Sequence, residues 1–126
     1  MKKILIIDDE IAVSQVFETA LSGAGYTVKI AVDGKSGLET ARNEQFNLIL
    51  CDEMMPDMNG NEVLKALKAD PQTNPIKVAM LTNFKHDEMV KEALMTGAED
   101  YILKYETLPD QLLEKVKGII GDPYTI

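Results

Sequence analysis

Two short apolar runs that end in aspartate constrain this fold more than any other feature. Residues 4–7 are followed by Asp8 and Asp9, and residues 48–51 are followed by Asp52. Short runs rich in Ile and Leu, bounded by polar residues, are typical of buried parallel strands. If these strands are neighbours in one sheet, the three carboxylates meet at its carboxyl edge, where open α/β sheets bind ligands.

Three clustered carboxylates repel one another, so such a site is unfavourable unless a cation or a proton neutralises it. With no histidine beside these positions and with hard carboxylate oxygens as donors, the set favours Mg²⁺. Cys51, the one cysteine, is predicted to be a small core residue, which excludes a disulfide within the chain and fits a reducing cytoplasm. His86 lies in a polar run and is predicted to be a solvated residue at a helix start.

Length and charge narrow the classes of partner. A chain of 126 residues is expected to fold as one domain. Its net charge of −8 argues against direct binding of nucleic acid or of an anionic membrane. Acidic residues follow the first apolar run so closely that neither a signal peptide nor a membrane span is expected, and a cytoplasmic location is predicted.

Strand and helix patterns alternate along the whole chain. Apolar residues at positions 13, 16, 17, 20, 21 and 24 have helical spacing, which predicts a helix that Gly25 ends. Apolar and polar residues alternate over 26–30, which predicts a strand at a sheet edge. Further helices are predicted near 34–43, 63–67, 89–94 and 107–120, the last with Thr107 as a cap, and further strands at 48–52, 78–81 and 101–103.

Five strands that alternate with five helices predict an α/β fold with a doubly wound parallel sheet. Right-handed crossovers place helices on both faces, and the flavodoxin-like strand order 2-1-3-4-5 is expected. This order puts the strands of Asp8 and Asp52 side by side, and the fourth and fifth strands end at Thr82 and Lys104 at the same edge. An acidic metal pocket beside a hydroxyl and an ammonium group is suited to phosphoryl chemistry.

Four segments of the chain carry a resemblance to a known family. They are residues 6–9 (IIDD), 50–60 (LCDEMMPDMNG), 81–82 (LT) and 101–104 (YILK). In this order and spacing they resemble receiver domains of bacterial two-component response regulators, and the chain looks CheY-like over nearly its whole length. The resemblance implies a receiver domain over residues 1–121, followed by a short C-terminal tail over 122–126.

The resemblance implies a phosphorylation site and a magnesium site. Asp52 would be the nucleophile that accepts a phosphoryl group as an acyl phosphate. Asp9 would ligate Mg²⁺ directly, together with Asp52 and the backbone carbonyl of Met54, and Asp8 would bind the metal mainly through water. The simpler interpretation of Asp9 alone is a helix cap, which is a common role for aspartate after a strand.

The resemblance also implies roles for the ends of the fourth and fifth strands. Lys104 would contact one phosphoryl oxygen, and Thr82 would contact another once the site rearranges. Tyr101 would be an aromatic switch that turns inward when Thr82 moves. Taken singly, Lys104 also fits a solvated lysine, Thr82 a strand-end cap and Tyr101 a fixed packing residue.

The implied function is phosphorelay signal transduction. The chain would accept a phosphoryl group from a sensor histidine kinase or a phosphotransfer protein, and would catalyse only its own phosphorylation and dephosphorylation. A downstream protein would bind the surface of the fourth helix, the fifth strand and the last helix, and homodimerisation on phosphorylation is a further hypothesis. No output domain is expected within the chain, and both a stand-alone regulator and a part of a longer one stay open.

Two other classes of function compete with the signalling interpretation. A Mg²⁺-dependent phosphatase with an aspartyl intermediate is disfavoured, because Met54 occupies the place where such an enzyme needs a second acidic residue. An interaction scaffold that keeps the fold without phosphorylation is disfavoured because all the acceptor residues are present.

The chain departs from the family pattern beside two site residues. The family usually has a proline after the site lysine, in a cis peptide, whereas this chain has Tyr105. A cis bond without proline costs about 3–4 kcal/mol, so the Lys104–Tyr105 bond is predicted to be trans. A trans bond is expected to let Lys104 lie away from Asp52. Asn83 stands where a small residue is usual, and it is expected to narrow phosphoryl access.

Overall fold

The computed structural model describes residues 1–125, and strands alternate with helices along this range as predicted. The strands are β1 (Lys3–Ile7), β2 (Thr27–Ala31), β3 (Leu48–Asp52), β4 (Lys77–Thr82) and β5 (Asp100–Leu103). The helices are α1 (Ile11–Gly23), α2 (Gly34–Asn43), α3 (Gly60–Ala69), α4 (Asp87–Thr96) and α5 (Pro109–Ile120). α5 ends close to the predicted domain boundary, which stays a prediction, and the last residue of the predicted tail, Ile126, lies outside the described residues.

The five strands form one parallel sheet in the order β2-β1-β3-β4-β5, which confirms the predicted flavodoxin-like topology. Ile7 of β1 lies opposite Cys51 of β3, so these two strands end at the same level. The backbone N–H of Lys104 donates to the carbonyl of Thr82 at 2.7 Å, which joins the ends of β4 and β5. The topology therefore brings the predicted site residues to one edge of the sheet.

Alternate side chains of the central strands build one apolar core on each face of the sheet. Leu5, Ile7 and Cys51 belong to the core covered by α2, α3 and α4, whereas Ile4 and Ile6 belong to the core covered by α1 and α5. Because both faces are covered, continuous apolar runs rather than alternating ones form these strands. Cys51 is buried as predicted, and burial raises the pKa of its thiol well above the usual value.

The predicted stripes of two helices are confirmed except at one residue each. In α1, Phe17 and Leu21 are buried as predicted, whereas Val16 is 53% exposed and Ser14, outside the predicted stripe, is buried. Ser14 can occupy an apolar core because its hydroxyl donates to a backbone carbonyl one turn earlier in the chain. Leu94 of α4 is likewise 48% exposed, because fewer residues of α4 face the sheet than its apolar spacing suggests.

The start of α5 also differs from its prediction. Leu108 holds the N-cap position and Pro109 begins the helix, so Thr107 is not the cap. The hydroxyl of Thr107 donates instead to the carbonyl of Leu103, at 2.6 Å. The side chain of Gln111 accepts a hydrogen bond from the backbone N–H of Leu108. Gln111, rather than Thr107, therefore provides the hydrogen-bond acceptor at the start of the helix.

The loop between β3 and α3 lies tightly against the end of β3. Asn59 caps α3 and forms a reciprocal capping box with Glu62. Gly60 donates its N–H to the carbonyl of Glu53 at 2.8 Å, and a Cβ at Gly60 would lie 2.5 Å from the carbonyl oxygen of Asp52. Only glycine allows this approach, so the loop stays fixed beside Asp52.

Candidate functional site

A buried ammonium group lies at the centre of the carboxyl edge of the sheet. Lys104 Nζ is 2.9 Å from Asp8 Oδ2, 2.8 Å from Glu10 Oε1 and 3.1 Å from Asp52 Oδ1. These groups come from the carboxyl ends of β1, β3 and β5. The parallel register of the sheet places these ends at the same edge. Three of the predicted site residues, Asp8, Asp52 and Lys104, are therefore in direct contact.

Burial and like charge change how these groups ionise. The side chain of Asp52 is only 4% exposed. Burial, and then the nearby charge of Asp8, raise its pKa to about 7, although Lys104 opposes the rise. Burial by itself would lower the pKa of Lys104, but hydrogen bonds to Glu10 and Asp8 outweigh it and raise the pKa. Lys104 is thus a permanent cation, whereas Asp52 is poised between its two forms near neutral pH.

Glu10 is a member of this cluster that the sequence interpretation missed. Its carboxylate accepts hydrogen bonds from Lys104 Nζ and from the hydroxyl of Tyr105, and these contacts lower its pKa. A side-chain hydrogen bond with Asn83 also lowers it. The available signal was that Glu10 is the third consecutive acidic residue after β1.

Three acidic side chains come together around Lys104. Asp8, Glu10 and Asp52 each offer a carboxylate oxygen, and these oxygens lie within 4.8 Å of one another. Three carboxylates face one ammonium group, so negative charge is in excess, and oxygen donors of this kind suit Mg²⁺. Asp9 is exposed beside them, and a hydrogen bond between its side chain and Asp52 contributes to the raised pKa of Asp52. Met54, whose carbonyl was the fourth predicted ligand, pairs through its backbone with Asn59 in an isolated bridge.

The predicted switch residues lie on the β4 and β5 side of the site. Thr82 is buried, and its hydroxyl donates to the carbonyl of Phe84 at 2.8 Å. Tyr101 is also buried, and its hydroxyl donates to Glu53 Oε2 at 3.2 Å. Burial and the charge of Glu53 raise the pKa of Tyr101 to about 12. Tyr101 thus lies inward, next to a buried carboxyl group that no feature of the sequence had marked.

The turn after Lys104 confirms one prediction and corrects another. The Lys104–Tyr105 peptide bond is trans, as are the other peptide bonds among residues 1–125. The expectation that Lys104 would then lie away from Asp52 is wrong, because its ammonium group contacts the Asp52 carboxylate. The long lysine side chain reaches the carboxylates from the end of β5 without the turn geometry that a proline would impose.

Most residues of α4 are exposed or half-buried. Ala93 is the one residue of α4 that is fully buried, whereas Met95 is 86% exposed. His86 is exposed at the N-cap position of α4, as predicted, and its ring packs edge-to-face against Phe84.

Within residues 1–125, the helices are too short or too polar to cross a membrane.

Comparison with known proteins agrees with this geometry. Residues 4–117 match the family model described as the response regulator receiver domain. The transcriptional regulatory protein ZraR of Escherichia coli K12 is 41% identical over 102 residues, which cover 80% of this chain and 22% of that protein. The response regulator ArlR of Staphylococcus saprophyticus is 35% identical over 120 residues, which cover 95% of this chain and 53% of that protein. This chain therefore spans between about a fifth and about half of the length of these relatives.

Solved structures show the same similarity in three dimensions. The chemotaxis protein CheY4 of Vibrio cholerae superposes with a TM-score of 0.88 at 33% sequence identity, covering 94% of this chain and 98% of that chain. A CheY-like receiver domain protein of Methanospirillum hungatei superposes with a TM-score of 0.85 at 39% identity, covering 94% and 92% of the two chains.

Proposed function

Since this chain belongs to the response regulator receiver domain family, we propose that it accepts a phosphoryl group on Asp52 from a sensor histidine kinase or a phosphotransfer protein. The observation that supports this most is the position of Asp52. Its carboxylate is buried at the carboxyl edge of the sheet, in contact with Lys104 and beside the acidic cluster. An aspartate in this environment has both a cation for the incoming phosphate and the acidic groups for a metal ion.

The proposed reaction is a simple displacement at phosphorus. A carboxylate oxygen of Asp52 attacks the phosphorus, the O–P bond forms, and the P–N bond of the phosphohistidine donor breaks. Asp52 attacks in its ionised form, which its pKa of about 7 makes available near neutral pH. Lys104, whose Nζ lies 3.1 Å from Asp52, is placed to bind a phosphoryl oxygen.

The acidic cluster is proposed to hold Mg²⁺. Asp9, Asp52 and the backbone carbonyl of Met54 would be direct ligands, and Asp8 would bind the ion mainly through water. The ion, when bound, neutralises charge on the transferring phosphoryl group. The fit rests on the close carboxylate oxygens of Asp8 and Asp52, beside which Asp9 is exposed.

Phosphorylation is proposed to act on a partner surface through Thr82 and Tyr101. The hydroxyl of Thr82, the last residue of β4, would exchange the carbonyl of Phe84, in the loop that follows, for a phosphoryl oxygen. The surface itself would be α4, β5 and α5, where Leu94 and Met95 are exposed apolar side chains available to a downstream protein. Phosphorylation would bias two existing arrangements of this surface.

Labelling with a small phosphodonor tests the proposal. Intact mass measurement after incubation with acetyl phosphate and Mg²⁺ should show one added phosphoryl group on the wild type. Asp52→Asn should show none, and chelation of the metal should abolish labelling of the wild type. Equal labelling of Asp52→Asn, or labelling that survives chelation, would contradict the assignment.

Nuclear magnetic resonance tests the proposed surface. Addition of beryllofluoride, a phosphate mimic, with Mg²⁺ should shift resonances of α4 and of Tyr101 as well as those near Asp52. Shifts confined to the loops that follow β1 and β3 would show that phosphorylation does not reach the partner surface in this chain.

A further inference from the structure

The ammonium group of Lys104 is already engaged by Glu10. Its Nζ donates a hydrogen bond to Glu10 Oε1 at 2.8 Å, and Asp8 and Asp52 lie within 3.1 Å of it as ion-pair partners. The lysine side chain is fully buried among them. If Lys104 is to bind a phosphoryl group on Asp52, as the proposed function requires, that group competes with Glu10 for the ammonium group.

Glu10 is the partner that can leave. Asp52 must stay, because it would carry the phosphoryl group. Asp8 is fully buried, and its second oxygen accepts the backbone N–H of Glu10 at 2.9 Å. The side chain of Glu10, in contrast, is 34% exposed at the mouth of the site, so its carboxylate is able to turn toward water.

Tyr105 holds Glu10 in this position. One carboxylate oxygen of Glu10 accepts from Lys104 Nζ, the other accepts from the hydroxyl of Tyr105, and a weaker side-chain hydrogen bond joins Glu10 to the exposed Asn83. Tyr105 is the next residue after Lys104, so two neighbouring side chains that follow β5 both donate hydrogen bonds to Glu10. The ring of Tyr105 lies mostly in solvent, which leaves the hydroxyl contact as its evident connection to the site.

We propose that Tyr105 is a positioning residue that keeps Glu10 on Lys104 and thereby slows entry of the phosphoryl group. The Glu10 carboxylate accepts the hydrogen bond of Lys104 for which a phosphoryl oxygen would compete, and it adds a negative charge where an anion must enter. We call this inhibitory contact of Tyr105 with Glu10 the brake. It rests on the proposed function of Asp52 and Lys104, and it concerns how quickly the site accepts phosphate rather than which residue receives it.

The rate of labelling by acetyl phosphate with Mg²⁺ tests the brake. Tyr105→Phe removes the hydroxyl and keeps the ring, and we expect it to raise the initial rate about three- to tenfold, the effect of one hydrogen bond of ordinary net strength. Glu10→Gln should also raise the rate, and adding Tyr105→Phe to Glu10→Gln should give little further gain. Tyr124→Phe is the matched control, since it removes the hydroxyl of another exposed tyrosine, beside Gly25 at the other end of the chain's sheet, and should leave the rate unchanged.

A second measurement needs neither phosphate nor metal. Hydrogen exchange of the Lys104 ammonium protons, followed by ¹⁵N resonance, should be faster in Tyr105→Phe than in the wild type and in Tyr124→Phe, because Glu10 then opens more often. A folding defect would instead alter exchange throughout the chain, so backbone exchange of the β3 amides is recorded in the same samples and should not change.

The outcomes separate the brake from the proposed function. An unchanged or slower labelling rate in Tyr105→Phe, or an acceleration that persists in full when Glu10 is already Gln, would overturn the brake. Unchanged exchange at Lys104 would overturn it as well. If the wild type is not labelled at all, the proposed function fails, and the ammonium exchange still decides whether Tyr105 holds Glu10 on Lys104.

Discussion

Removing the charge of Asp52 should stabilise the metal-free protein. Asp52 is buried beside Asp8, and these two effects raise its pKa from 3.8 to about 7. Asn has the same shape as the protonated acid and carries no charge. At a pH where the Asp52 carboxyl is ionised in the unfolded chain, folding of the wild type must either bury this charge or take up a proton. We therefore expect Asp52→Asn to have a higher free energy of unfolding than the wild type at such a pH.

The size and the pH dependence of the effect follow from the two pKa values. Folding takes up a proton between pH 3.8 and about 7, so the free energy of unfolding of the wild type falls as the pH rises through this window. The window is roughly three pH units wide, and each unit corresponds to about 1.4 kcal/mol. The advantage of Asp52→Asn should thus be about 4 kcal/mol at about pH 8 and about 2 kcal/mol at about pH 5.

Urea denaturation in the presence of a chelator measures this advantage. Saturating Mg²⁺ should remove most of it, because a bound cation favours the ionised carboxylate. The exposed Asp122→Asn is the matched control, and its unfolding free energy should stay within about 0.5 kcal/mol of the wild type at each pH. Equal stability of Asp52→Asn and the wild type at about pH 8 without metal, or an advantage that grows as the pH falls, would refute the reasoning.

Two further predictions concern the groups around Asp52. Gly60→Ala should lower the free energy of unfolding by about 2–3 kcal/mol, because the added Cβ would lie 2.5 Å from a backbone oxygen of β3 and 2.6 Å from Met80 Cε, and chemical denaturation measures the loss. Tyr101→Phe should lower it by about 1–2 kcal/mol, since Glu53 then loses a hydrogen-bond donor in a buried place, and thermal unfolding in the same buffer measures this loss.

Both predictions have internal controls. Gly118→Ala places a methyl group on α5 with nothing within 4 Å, and it should stabilise the fold by about 0.5–1 kcal/mol, which separates crowding at Gly60 from a general effect of alanine. If Glu53→Leu removes the penalty of Tyr101→Phe, the hydroxyl acts through Glu53. A penalty that persists in that background would show that the Tyr101 hydroxyl contributes by another contact.

The strand order and the shared edge of the sheet could be predicted from the sequence because they depend on local patterns. Buried runs that end in Asp8, Asp52 and Lys104 mark the strands, and the flavodoxin-like order, which the family resemblance favours, then predicts which strands are neighbours. The trans peptide after Lys104 was also predictable, since the cost of a cis bond depends on the residue type alone.

The helix faces were less predictable, because spacing gives the direction of a stripe only to within about one residue. Val16 and Leu94 have the right period and the right side chains, yet both are exposed. Ser14 is buried because a backbone carbonyl satisfies its hydroxyl, and that partner becomes evident only when the turn is built.

By itself the sequence determined which groups meet at the carboxyl edge, because β1, β3, β4 and β5 all end at that edge of the sheet. Only the tertiary structure decided how those groups pair. Lys104 reaches Asp52 despite the missing proline, Glu10 accepts the hydrogen bond of Lys104, and the hydroxyl of Tyr105 donates to Glu10 from the outer side. These pairings depend on side-chain reach across strands far apart in sequence, and no local pattern encodes a distance of 3 Å between them.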